Sequence, residues 1–203
     1  MLDNLRADLR LARQMNAGPG WFNQHVRLWG QPGTIAVLNH RLSHWLLCRC
    51  PLLLRCLLLP LYVAINCVAH LITGVHIDSD AEIGPGLVVH TTHAIFVGAK
   101  KIGCNCVLQT GVLIASGVPS IGDNVFFGAG AKVVERARIG NNVVVGPNSL
   151  VVTDVPDNTT VLGVPARIRL PRLTSTWYVL GHPDRQCPPE VQDHPEAVLS
   201  ERI

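Results

Sequence analysis

A parallel β-helix built from hexapeptide repeats is the fold this sequence predicts, and three observations carry the prediction. An apolar residue returns about every six positions from Ile77 to Val151, a glycine often follows it, and a small residue often sits four places after it. The series runs Ile77, Ile83, Val89 and Ile95, then Ile102, Leu108 and Ile114, then Ile121, Phe127, Val133, Ile139, Val145 and Val151. An amphipathic helix would repeat at about 3.6 and a simple strand at about 2, so a sustained six is neither. It marks a hexapeptide solenoid.

Each hexapeptide supplies a short strand and a corner, and three of them close one triangular coil. The leading residue fills the prism, while glycine or a small residue permits the corner. About four stacked coils are expected, with one open end to cover and side faces suited to meeting identical chains. Two strides are seven rather than six, Ile95 to Ile102 and Ile114 to Ile121, so bulges are expected there.

The N-terminal third reads as helical. Leu5, Leu9 and Ala12 share one face of a first helix that Gly18, Pro19 and Gly20 end, and a second segment spans Trp21 to Trp29. Thr34 is the expected N-cap of a helix carrying Val37, Leu38, Arg41, Leu42, Trp45 and Leu46. From Cys56 to Val75 the chain is apolar for about the length that spans a bilayer. Pro60, Asn66 and His70 interrupt it, which favours a helix buried between subunits over peripheral membrane contact. The expected division is a helical domain over 1–74, the β-helix over 75–169 and a loosely ordered tail over 170–203, where Pro183, Pro188, Pro189 and Pro195 sit among scattered charges.

Composition narrows the function. A formal charge of +3 is too mild for nucleic-acid binding but suits an anionic small ligand. The seven cysteines show no CxxC spacing and read as reduced packing residues of a cytoplasmic protein. The start of the chain is broken by Asp3, Arg6, Asp8 and Arg10, unlike a signal peptide.

Several stretches resemble the serine acetyltransferases of the hexapeptide-repeat acyltransferase superfamily. "LRADLRLARQ" and "GQPGTIAVLNHRLSHWL" are similar to that family's helical domain, "GVHIDSDAEIGPGLVV" to its entry into the β-helix, and "IGNNVVVGPNSLVVTDVPDNTTVLGVPARI" to its exit. The resemblance implies a left-handed β-helix, acetyl-CoA or another acyl-CoA as cosubstrate, and a homotrimer or dimer of trimers. It also implies a coenzyme A groove between neighbouring rods, met here by Gly128, Ala129, Gly130 and Pro147, and by the exit Gly163, Val164, Pro165, Ala166 and Arg167, with Arg169 beyond. Small residues let backbone approach a pantetheine closely, and guanidinium groups suit phosphate.

One corner departs from the family's pattern. Where its Asp-His pair stands, this chain has His90 and Thr91, and its long acceptor loop is reduced to "ASGVPS" between Ile114 and Ile121. No arginine remains there to pair the carboxylate of serine, so a small hydroxyl or amine acceptor other than free serine is expected. His90 and His93 are the catalytic candidates, because an imidazole can take a proton from a hydroxyl near neutral pH. His76 and Asp78 read as structural, able at most to orient His90. Two imidazoles fall short of the three protein ligands of a catalytic zinc, so no metal is expected. The alternative to an enzyme is a non-catalytic relative serving as a binding or assembly partner.

Overall fold

The computed structural model describes residues 2–15, 32–90 and 92–169. Among the described residues three helices come first: α1 (Leu2–Met15), α2 (Pro32–Cys48) and α3 (Leu52–Thr73). Thirteen short strands follow, from β1 (Val75–Ile77) to β13 (Arg167–Arg169). The expected segment at Trp21 to Trp29 and the tail from 170 onward lie outside the described residues.

The strands wind into a left-handed parallel β-helix with three faces. The first face stacks β1, β4 (Ile95–Val97), β7 (Leu113–Ile114), β9 (Lys132–Val133) and β11 (Leu150–Val151). The second begins with β2 (Glu82–Ile83) and β5 (Lys101–Ile102) and continues through single bridges at Ile121, Ile139 and Val155. The third stacks β3 (Val88–Val89), β6 (Val107–Leu108), β8 (Phe126–Phe127), β10 (Val144–Val145) and β12 (Thr160–Leu162). Five coils result, one more than the period suggested, because Val75–Ile77 opens a coil and Val151, Val155 and Val161 close another.

Every leading residue of the six-residue series is buried, and together they form one continuous core. The register corrects one of them. Ile77 pairs with Val97, and Val97 with Ile114, so Val97 holds the stacked position expected of Ile95, which pairs instead with Val75. The extra length read between Ile95 and Ile102 therefore falls earlier, in the turn from Val89 to Val97. His93 and Ala94 turn that corner at φ of 91° and 55°, a left-handed conformation that side chains with a Cβ seldom adopt.

The corners between the second and third faces are made by asparagine. Asn105, Asn124, Asn142 and Asn158 all have φ between 54° and 58°, and their amides bond one another from coil to coil at 3.0–3.2 Å. Asparagine is the residue besides glycine that best tolerates this conformation, and the ladder ties the half-buried amides of successive coils together.

The helices cover the first coils. Leu11 and Ala12 of α1 pack on the outward residues Val88 and Val107 of the third face. Ala36 and Val37 of α2 join the solenoid core and close its open end. This helix starts at Pro32, two residues before the expected Thr34 cap, and Thr34 is buried within it. Gly33 permits the contact, since a Cβ there would stand 2.0 Å from the carbonyl oxygen of Val89. Helix α3 packs on α2 but leaves most of its apolar surface exposed within the chain. Gly74 ends it at φ 61°, its N–H donating 2.8 Å to His70 O, and Val75 opens the solenoid at once. Among the described residues Cys106 is buried as a packing residue, whereas Cys48, Cys56 and Cys67 are exposed thiols, contrary to the packing role expected of them.

Candidate active site

The parallel ladder of the third face decides which residues share an edge. Val89, Leu108, Phe127, Val145 and Val161 are register partners from coil to coil. The residues that follow them, His90, Gln109, Gly128, Gly146 and Leu162, therefore stack along one corner. The ladder carries through this column: His90 N donates to Leu108 O at 3.0 Å, Gln109 N to Phe127 O at 3.2 Å, Gly128 N to Val145 O at 2.8 Å and Gly146 N to Val161 O at 2.9 Å. At about 4.8 Å per coil, His90 and Gly146 stand roughly 14 Å apart along the edge.

Beyond the histidine the edge is stripped of bulk. Gly128 is buried against the next coil, where a Cβ would meet Pro147 N at 2.6 Å. Ala129 and Pro147 are exposed beside it. Gly130 turns the same corner at φ 71°, donating to Thr110 O at 2.8 Å. The edge ends at Gly163, φ 102°, and the cis Val164–Pro165 bond. Ala166 N then donates to Leu150 O at 2.7 Å, and β13 returns antiparallel on β12. Arg167 and Arg169 are exposed and, two apart on a strand, share a face. The antiparallel return was not foreseen from the period.

His90 is half-buried, and its Nδ1 is buried without a hydrogen-bond partner among the described residues. His93 sits three residues on with its side chain exposed. Its backbone is firmly held: N donates to Thr73 O at 3.1 Å, and O accepts from Gly111 N at 3.1 Å and Thr110 Oγ1 at 3.2 Å. His76 belongs to a different face. It pairs with Asp78 at 3.1 Å and stacks on Phe96 and His70, with centroids 5.1 and 5.2 Å away.

Two features escaped the sequence reading. Gln109 occupies the slot next to His90, a position visible only once Leu108 is aligned under Val89. The other is the pair Asp8 and Arg41, which docks α1 and α2 on the first coil at the turn between its second and third faces. Asp8 Oδ1 accepts from Gly86 N and Leu87 N at 2.7 and 2.8 Å, and Arg41 reaches the carbonyls of Ile83 and Gly84. Burial pushes the Asp8 carboxyl up from its ordinary value, while Arg41 and the two amides pull it back. Among the described residues no group of three metal-ligating side chains is assembled.

Residues 119–153 match the family described as bacterial transferase hexapeptide (six repeats). A serine acetyltransferase of Synechococcus elongatus is 34% identical over 177 residues, covering 83% of this chain and 68% of the relative. The chain belongs to the serine acetyltransferase family. Its fold superposes on the serine acetyltransferase of Neisseria gonorrhoeae with a TM-score of 0.66 at 28% identity, over 90% of this chain and 70% of that one. A serine acetyltransferase in complex with CoA gives a TM-score of 0.67 at 26% identity, over 83% and 69% of the two chains. As a member of this family the chain is an acyltransferase that uses acetyl-CoA as cosubstrate. A strip of small corners ending in two arginines suits such a ligand, because it lets the pantetheine lie against backbone and meets phosphate with guanidinium.

Proposed function

We propose that this serine acetyltransferase family member transfers acetyl from acetyl-CoA to a small hydroxyl or amine acceptor, with His90 as general base. One observation carries the reading: the register places His90 on the edge that runs through Gly128, Ala129, Gly130 and Pro147 to Gly163, Pro165, Ala166, Arg167 and Arg169. CoA lies along that edge, its thioester toward His90. The acceptor gives its proton to the imidazole as its oxygen or nitrogen bonds to the acetyl carbon. The carbon–sulfur bond then breaks, and the thiolate takes the proton back. His93, held at the same corner, is placed to orient the acceptor or the thioester oxygen.

The working unit we propose is a homotrimer, alone or doubled, in which the neighbouring rod forms the other wall of the groove. The relatives are named for serine, and serine is the first acceptor to assay. The turn from Ala115 to Ser120 carries no cation to hold its carboxylate, so serine should show a much higher KM than an acceptor lacking that charge. Thiol release from acetyl-CoA, followed with serine and a panel of small alcohols and amines, tests the reading. Release that depends on one acceptor supports it. CoA binding without release for any acceptor would favour the assembly partner instead.

A further inference from the structure

Helix α3 separates its residues more sharply than its sequence suggests. Of the residues that spoke against a membrane, Asn66 and His70 face the protein, while Pro60 is exposed but carries no side-chain hydrogen-bonding group. Tyr62 donates to Ser43 Oγ at 2.8 Å, Asn66 Oδ1 accepts from Asn39 at 2.8 Å, Thr73 donates to Ala69 O at 2.8 Å, and the His70 ring stacks on His76. Arg55 donates to Leu47 O at 3.1 Å. At about 100° per residue the remaining arc covers roughly two-thirds of the circumference. It is uninterrupted by any hydrogen-bonding group other than the thiols of Cys56 and Cys67. Leu53 and Leu71 are 88% and 85% exposed, and Leu52, Leu57, Leu61, Val63, Val68 and Ile72 are exposed with them.

We propose that this arc docks into the surface of a lipid bilayer carrying anionic headgroups. The helix has 22 residues and is about 33 Å long, so the apolar surface far exceeds the few hundred Å² that a soluble monomer ordinarily shows. The apolar stripe of an ordinary surface helix starts at about 100°, and this arc is more than twice that width. Charge selects the lipid. Between Asp8 and Asp78 there is no Asp or Glu, while Arg10, Arg13, Arg27, Arg41, Arg49 and Arg55 fall in that stretch, and Arg41 is neutralised by Asp8. Arg49 is exposed just ahead of the helix. Such cations near an anionic leaflet add an electrostatic attraction that salt weakens. Because α2 covers the opposite side of α3 and Gly74 leads straight into the solenoid, the helix lies in the interface and the rod stays in water.

The test uses the full chain with phosphatidylcholine vesicles, with and without phosphatidylglycerol. The expected result is flotation with the anionic vesicles, weakened by high salt, with Cys56 and Cys67 shielded from a polar maleimide only when those vesicles are present. Leu57→Glu with Leu71→Glu, both at exposed positions, should lower vesicle binding roughly tenfold or more while circular dichroism stays unchanged. Absence of flotation would overturn the proposal. So would shielding of both thiols in lipid-free oligomers, which would mean that a second copy covers the arc. Thiol release by lipid-free protein reports the transfer reaction separately, so either reading can fail without the other.

Discussion

Arg41 Nε lies 3.0 Å from Asp8 Oδ2, and its Nη2 3.2 Å from Asp8 Oδ1, in a pair buried between two helices and the first coil of the solenoid. Neither residue has another route to full satisfaction, since the carboxylate also holds the amides of Gly86 and Leu87 and the guanidinium holds two carbonyls. Removing one partner strands a buried charge. Arg41→Met should destabilise the protein by about 3–5 kcal/mol, read as a lower urea midpoint. An unchanged midpoint would show that packing alone docks the helices.

His90→Ala should lower kcat by about 10² to 10⁴ and leave CoA affinity nearly unchanged, because proton transfer belongs to the transition state and the cosubstrate grips other coils. Steady-state kinetics beside calorimetry with CoA separates the two effects. His93→Ala should cost less. Full activity in both single variants would remove this corner from the reaction.

Ala129→Glu should weaken CoA binding with little change in stability. Ala129 is exposed on the edge, so the larger, anionic side chain projects into the groove and repels phosphate rather than disturbing the core. Arg167→Ala should raise the KM for acetyl-CoA more than it lowers kcat, in a salt-dependent way. Wild-type CoA affinity in both variants would place the cosubstrate elsewhere.

Acid should loosen the helical cap through His40. Burial, with Arg41 and His44 close by, lowers its pKa from 6.5 to about 3, so the folded state keeps it neutral. The unfolded chain binds that proton below about pH 6.5 and the folded chain does not, so the stabilisation is complete above that pH and fades as pH falls toward 3. Between pH 7.5 and pH 5 the loss should be about 2 kcal/mol, and His40→Leu should flatten the dependence of melting temperature on pH. An equally steep profile in the variant would assign the acid sensitivity to another group.

The sequence by itself determined the solenoid and the residues that fill it, because a period of six has few physical solutions and each leading apolar residue must face the prism. It also exposed His90, His93 and the exit arginines, since unusual residues stand out against a repeat. It could not determine the register. Ile95 and Val97 are both apolar, and only strand pairing with Val75 and Ile77 shows which of them stacks under Ile114 and that the extra residues crowd the His90 corner. The stacking of Gln109 beside His90 follows from the same pairing. Asp8 and Arg41 meet across 33 positions, and Tyr62 and Asn66 turn toward α2, so the polar residues that seemed to break an apolar helix leave its outer arc bare. Periodicity is local and survives in a one-dimensional string; pairings between distant segments are settled only when the coils close and the helices dock on them.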